Sequence, residues 1–200
     1  CGIVPDADFP VTYGEKGGLH VLLKGKADTK IVSMHAGTRP NIVIGKAEME
    51  MAEWNETLEA QFDFYLRSNQ LQGSAERKGD HVILHIDGVF SHAAEPYNGV
   101  NAALHLLNFA GCAYDDKFAR DTYEMLHDWQ GKPLGIDQYG AYMGFLTMNT
   151  GIISLDEDGS CEITIDIRYP NDADVNAIME GFHRACKTRG YDLEAVMESD

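Results

Sequence analysis

The sequence predicts an α+β fold in which antiparallel sheets are backed by helices. Hairpin signals dominate over the long crossovers that join parallel strands. The clearest hairpin joins a strand at 145–155 to a strand at 161–169 around an acidic, glycine-containing turn. In the second of these strands, isoleucines alternate with polar residues, which is typical of a strand with one buried and one polar face.

The first half of the chain contains several predicted strands and one long helix. Apolar and β-branched runs predict strands at 18–26 and 30–35, and a hairpin is predicted within 74–88. Apolar residues recur at helical spacing over 46–66, which predicts an amphipathic helix there. Residues 1–17 are broken by proline and glycine and are interpreted as an extended lead-in segment.

The second half of the chain alternates between helices and strands. Its predicted helices and final strand are, in order, 101–110, 118–126, 173–189 and 193–197. Asp172 is the expected N-cap of the last helix, and Gly190 is its expected stop.

The composition bears on the partners and the cellular location of the protein. The formal net charge is −16, which disfavours nucleic acid and anionic membranes as partners. No apolar run approaches the roughly 18 residues of a transmembrane helix. The four cysteines form no CxxC pair, so we expect buried free thiols and a cytoplasmic protein.

A pair of carboxylates near the start is the first candidate for chemistry. Asp6 and Asp8 stand at i and i+2 in an extended segment between two prolines, so both point to one side. This arrangement suits a hard cation. The alternative is a solvated Asx turn.

Two loops carry further candidates. His92 follows a predicted strand in a loop, where an imidazole can reach a ligand. Asn41 lies in the loop after the second strand. The alternatives are a histidine that packs within its loop and an asparagine that serves a turn.

Arg168 is the last candidate. It lies on the polar face near the end of a strand, where its guanidinium can bind a carboxylate in a two-pronged manner. The alternative is an ordinary ion pair, either across the hairpin or with Asp166 on the same face. His81 and His85 share a strand face, but no third ligand has matching spacing, so both are interpreted as structural.

Four segments, taken in order, resemble one family. They are PDADFPVTYGEKG, TRPNIVIGKAEM, HAAEPYNGVNAA and GFLTMNTGIISLDEDGSCEITIDIRYP. Together they look like the PepV-type dipeptidases of the two-zinc metallopeptidase superfamily, which also holds carboxypeptidase G, aminoacylase and carnosinase. The resemblance implies a catalytic domain with two divalent metal ions, zinc or manganese, and an inserted lid that covers the substrate.

The resemblance also implies roles for individual residues. Asp6 matches a carboxylate metal ligand, and His92 matches a lid histidine that stabilises the tetrahedral intermediate. Asn41 and Arg168 match residues that hold the substrate, with Arg168 at its terminal carboxylate. The general base and the other metal ligands of the family have no counterpart in this sequence.

The implied organisation is a lead-in at 1–17 and a duplicated, dimerisation-type lid domain at 18–200. A weak sequence similarity between residues 37–43 and 147–153 is consistent with two repeated halves. The expected partners are a small peptide and the protein's own catalytic domain, in a monomeric parent whose lid alone is inactive. The alternatives are a non-catalytic dimerisation or interaction domain, and the lid of an aminoacylase- or carboxypeptidase-like relative.

Overall fold

The computed structural model describes residues 14–197, which form a large antiparallel sheet with helices packed on it. The helices are α1 (Glu56–Ser68), α2 (Ala102–Ala113), α3 (Lys117–Leu126) and α4 (Val175–Arg189). The strands of the large sheet are β1 (Gly17–Lys26), β2 (Ile31–Ala36), β3 (Lys46–Met51), β4 (Gln72–Lys78), β5 (His81–Asp87), β8 (Thr147–Leu155), β9 (Ser160–Tyr169) and β10 (Tyr191–Met197). Two short strands, β6 (Tyr139–Gly140) and β7 (Gly144–Phe145), form a separate ribbon. The predicted α+β class is confirmed.

The eight strands lie in the order β10-β1-β9-β8-β2-β3-β5-β4, and every neighbouring pair is antiparallel. Every residue of the edge strand β4 is exposed, and three consecutive residues of it are charged (Glu76, Arg77 and Lys78). Such an edge resists pairing with other chains. The chain enters and leaves the sheet at one place, because Leu19 of β1 is paired with Met197 of β10.

The core lies between one face of the sheet and the helices. Ile163, Ile165 and Ile167, on one face of β9, are fully buried. Glu162, on the other face of the same strand, is exposed. Helical phenylalanines close the same core, among them Phe62 of α1 and Phe109 of α2. The alternation predicted for this strand is therefore confirmed, and it leaves a polar face on the opposite side of the sheet.

The two halves of the sheet share a strand order. Starting from the central pair, one half reads β2-β3-β5-β4 and the other reads β8-β9-β1-β10. In each half one helix connects the second strand to the outermost strand: α1 between β3 and β4, and α4 between β9 and β10. The two halves differ in chain order. β5 comes directly after β4, the edge strand of its half, whereas β1 precedes the other described strands of the sheet.

The helix predicted over 46–66 is wrong in its first part. Residues 46–51 form strand β3, whose Ala47, Met49 and Met51 are buried at every second position. The helix begins only after Asn55, whose side chain accepts a hydrogen bond from the Leu58 amide. The period of two in these six residues runs directly into the helical spacing that follows it, so the sequence alone does not separate the two patterns.

Two smaller expectations also need correction. Asp174, not Asp172, caps α4, since its side chain accepts from the Ala177 amide at 3.1 Å. Cys112 is exposed, whereas Cys161 and Cys186 are buried as expected, and all three are free thiols. No helix among the described residues is long and apolar enough to cross a membrane.

Candidate functional site

The loops that carry Asn41 and His92 run side by side. Val43 N donates to Ser91 O, and Ala93 N donates to Asn41 O, both at 2.9 Å. These bonds form an isolated antiparallel bridge between Ile42 and His92. Residues distant in the chain are thereby held next to each other, at the point where the chain has left β2 and has not yet entered β3.

The loop around His92 is closed by its own backbone. Val89 and Val100 exchange two amide–carbonyl bonds of 2.9 Å, which pin its two ends. Ser91 Oγ donates to Glu95 O at 2.8 Å across the loop. A closed loop on a rigid sheet can hold a side chain in a defined place at the protein surface.

The imidazole of His92 is exposed, and one of its nitrogens is already engaged. Its Nδ1 accepts a hydrogen bond from the Ala94 amide at 3.1 Å. In the neutral ring this leaves the proton on Nε2, which then acts as a donor. A neutral His92 therefore carries an N–H donor on an exposed side chain.

Arg168 pairs with a buried carboxylate. Its Nε and Nη2 donate to the two carboxylate oxygens of Asp166, each at 2.9 Å. Asp166 is fully buried and also lies 3.0 Å from Nε2 of His20 on β1. The pairing with Asp166 considered in the sequence is therefore present, and it fixes the guanidinium on the polar face of the sheet.

Asn149 links this ion pair to the loop of Asn41. It lies opposite Asp166 in the β8–β9 register. Its Nδ2 donates to Pro40 O at 2.8 Å, and its side chain is almost completely buried. Asn149 was not among the predicted site residues, although a buried asparagine in an apolar strand is a signal that could have found it.

The structure thus brings His92 and Asn41 together and connects Arg168 to them through Asp166 and Asn149. Asp6, the predicted metal ligand, lies outside the described residues. Whether any of these four residues acts on a substrate stays a prediction.

No group of three or more histidine, cysteine or acidic side chains within residues 14–197 could hold a metal ion. The two strand histidines instead have acidic neighbours. His81 Nδ1 lies 2.9 Å from Glu50 Oε1, and His85 Nε2 lies 3.2 Å from Asp87 Oδ1. The described residues therefore do not fit a two-metal centre, and such a centre would have to lie elsewhere.

Known proteins resemble this chain over nearly its whole length. The "Putative dipeptidase SH1171" of Staphylococcus haemolyticus is 31% identical over 208 residues, which cover 96% of this chain and 44% of that protein. The "Putative dipeptidase YtjP" of Bacillus subtilis is 34% identical over 204 residues, which cover 92% of this chain and 42% of that protein. No family model matches the chain.

Among solved structures, aminoacylhistidine dipeptidase from Vibrio alginolyticus covers 92% of this chain and 44% of its own at 8% identity, with a TM-score of 0.33. A likeness this weak does not establish a shared fold or function. The sequence relatives define the class: this chain is homologous to one part of proteins that are named dipeptidases. It spans less than half the length of the curated relatives it matches.

Proposed function

We propose that this chain is the substrate-covering lid of a metal-dependent dipeptidase, with residues 1–17 as the lead-in and 18–200 as the lid. The observation that carries the proposal is the similarity along 96% of this chain to less than half of a protein named a dipeptidase. A segment shared in this way is expected of one domain of a larger enzyme. The contact between the loops of Asn41 and His92 supports the same conclusion.

The sheet topology suits a domain inserted into a host. An inserted domain must leave and re-enter its host at one place, and β1 and β10 are adjacent strands with Leu19 opposite Met197. The matching strand orders of the two halves support a duplicated lid. In this proposal the parent enzyme is cytoplasmic. It is a monomer, because one chain supplies both halves.

His92 is proposed to stabilise the tetrahedral intermediate. Attack on a peptide carbonyl places negative charge on its oxygen, and a donor aimed at that oxygen binds the transition state more tightly than the ground state. The neutral ring of His92 offers Nε2–H, since Nδ1 is held by the Ala94 amide. The loop would therefore need no change of tautomer to do this.

Arg168 and Asn41 are proposed to hold the substrate. A guanidinium fixed by Asp166 offers a positive charge for the terminal carboxylate of a dipeptide. Asn41 contributes a side-chain amide beside His92, because its backbone oxygen already binds the Ala93 amide. Fixing the carboxylate end of a short peptide would favour dipeptides over longer chains.

The two divalent metal ions belong to this proposal only through the parent enzyme. The described residues do not fit a metal centre, and Asp6 lies outside them. The ions are therefore assigned to the rest of the parent, and no step in this chain is derived from them.

The proposal is tested in the complete reading frame that contains this chain. His92→Ala should lower kcat by roughly 10²–10³ with little change in KM, the cost of losing one oxyanion donor. His183→Ala is the matched control, because His183 is exposed on α4 and far in sequence from both loops. Dipeptide hydrolysis with added zinc or manganese is the measurement.

A second comparison addresses the carboxylate. Dipeptides with amidated C-termini should be poor substrates of the wild-type enzyme and should lose little more in Arg168→Ala. Dipeptides with a free C-terminus should lose more in that variant, because it has no charge to meet their carboxylate. A complete reading frame with no metal-dependent peptidase activity would favour the interaction-domain alternative. An active enzyme whose His92→Ala variant resembles His183→Ala would refute the role given to His92.

A further inference from the structure

Large hydrophobic side chains that are exposed to solvent are concentrated in two segments of the described chain. Seven such side chains are exposed between residues 14 and 197, and six of them lie in the loop at 89–100 or in the ribbon at 139–145. The six are Val89, Phe90, Tyr97, Tyr139, Tyr142 and Phe145. The seventh, Phe64, lies on α1. A single exposed hydrophobic residue is ordinary, whereas a cluster indicates a surface that binds a partner.

Ring contacts join the two segments through Trp129. The ring centroid of Trp129 lies 5.1 Å from that of Tyr97 and 6.3 Å from that of Phe145. The ring of Phe145 lies 4.9 Å from that of Tyr139 on the neighbouring strand of the ribbon. Tyr142 stands in the turn of the ribbon and is 95% exposed. We call these five side chains the aromatic strip.

The two exposed segments are uncharged in a strongly acidic chain. The formal net charge is −16, yet residues 89–94 and 139–145 contain no aspartate, glutamate, lysine or arginine. The centre of a protein–protein interface is likewise depleted of charged residues and enriched in aromatic residues and methionine. A second copy of the chain would carry the same large negative charge, which opposes self-association. The composition therefore favours a different protein surface as the partner.

One end of the aromatic strip lies at the candidate site. Tyr97 belongs to the same closed loop as His92, and the exposed Phe90 precedes that histidine by two residues. In the proposed function, His92 reaches the carbonyl of a substrate that the catalytic domain binds. The loop must then approach that domain, and a surface that continues from the loop is placed to contact it.

The other end of the strip lies where the chain enters the sheet. Lys16 Nζ donates to Phe145 O at 2.5 Å, and a Cβ on Gly14 would lie 2.9 Å from Met143 Cε. The residues before β1 therefore pass beside the ribbon. In the proposed organisation they belong to the lead-in that joins the lid to the catalytic domain. Both ends of the strip thus lie at places that the proposed function puts next to that domain.

We propose that the aromatic strip is the surface on which the catalytic domain of the parent enzyme packs. The inference rests on the proposed function and adds to it the surface through which the two domains touch. The relatives have room for such a domain, since the similarity covers only 44% of the Staphylococcus haemolyticus protein. The matching surface should be apolar, with acceptors for the tyrosine hydroxyls at its edge.

The first experiment measures how fast hydroxyl radicals label aromatic side chains, read by mass spectrometry. It compares this chain with the complete protein encoded by its reading frame. Tyr139 and Tyr142 should be labelled roughly threefold more slowly, or slower still, in the complete protein, because the centre of an interface loses its contact with water. Phe64 is the matched control: it is 67% exposed, against 65% for Tyr139, and lies outside the strip. Its labelling should be the same in both samples.

Three results would overturn the proposal. The first is equal labelling of the strip in the two samples. The second is protection of Phe64 to the same degree as the strip, which would mean general shielding and not a defined contact. The third is labelling that falls in this chain alone as its concentration rises, which would assign the strip to a second copy.

A charge placed in the strip provides the second test. Burying an unpaired charge is unfavourable, so Tyr142→Arg should raise the labelling of Tyr97 and Phe145 in the complete protein to nearly the rate in this chain alone. Phe64→Arg is the control and should leave both rates unchanged. Because Tyr142 is almost fully exposed, the variant should fold normally, and circular dichroism checks this. Rates that stay low in a folded Tyr142→Arg protein would contradict the proposal.

Labelling does not depend on turnover, so it separates this inference from the proposed function. A protected strip in a complete protein without metal-dependent peptidase activity would support the domain contact and refute the proposed function. An active dipeptidase with an unprotected strip would refute the contact and leave the proposed function in place.

Discussion

The pair between Arg168 and Asp166 predicts a measurable loss of stability when the guanidinium is removed. Arg168→Met keeps most of the apolar stem but leaves the fully buried Asp166 carboxylate without two hydrogen bonds of 2.9 Å. Breaking a buried ion pair from one side costs about 3–5 kcal/mol. The ring of His20 remains 3.0 Å away as a partner and the Arg168 side chain is 22% exposed, so we expect about 2–3 kcal/mol.

The assay is urea unfolding of the chain at pH 7, followed by circular dichroism. With a slope of about 2 kcal/mol per molar urea, the midpoint should fall by roughly 1–1.5 M. Arg184→Met is the control, because Arg184 and Glu180 are 3.9 Å apart and both are well exposed. Such a pair contributes at most about 1 kcal/mol.

A double-mutant cycle with Asp166→Asn isolates the pair from the other contacts of Arg168. The coupling between the two changes should be about 1–3 kcal/mol. A coupling below about 0.5 kcal/mol, or a midpoint shift no larger than that of Arg184→Met, would refute the reasoning. The contact with Asp166 would then contribute little to stability, and the place of Arg168 on the polar face would need another explanation.

Three further changes test the fold. Asp116→Ala should cost about 2–3 kcal/mol in urea unfolding, because this buried carboxylate caps α3 and also accepts from Lys30 N at 2.7 Å. Gly37→Ala should leave little folded protein by circular dichroism, since φ is +81° and a Cβ would lie 1.9 Å from Gly151 O. Burial raises the pKa of the Cys161 thiol from 9.0 to about 12, so the unfolded state releases its proton first as pH rises. Stability present below pH 9 should therefore fall by about 1 kcal/mol by pH 10, and Cys161→Ala should flatten this slope.

Much of the second half of the sheet could be predicted because its signal is local. The isoleucines of β9 alternate with polar residues, and the turn that precedes them is rich in aspartate and glycine. Strand β3 is not predicted because Met49 and Ala52, three residues apart, also fit a helical spacing that continues into α1. Only its pairing with β2 and β5 separates the two interpretations, and that pairing is a long-range contact.

The candidate site shows the same division. The sequence could indicate His92, Asn41 and Arg168 one at a time, each with an ordinary structural alternative. It could not show that Ala93 binds the backbone of Asn41, because that contact depends on how two loops leave different strands. Asn149 is not predicted for the same reason. The carbonyl of Pro40, which accepts a hydrogen bond from its side chain, is more than a hundred residues away in the sequence.

The position of β1 has a consequence for how the chain folds. β1 lies between β9 and β10, so the first of the described strands along the chain pairs with the last two of them. The strands β2, β3, β4 and β5 close among themselves within residues 31–87 and can assemble early. Closing the long loop to β9 costs more entropy, which makes this pairing the slow step. During synthesis the apolar residues of β1 must wait unpaired until β9 emerges, and a strand that waits in this way is exposed to aggregation.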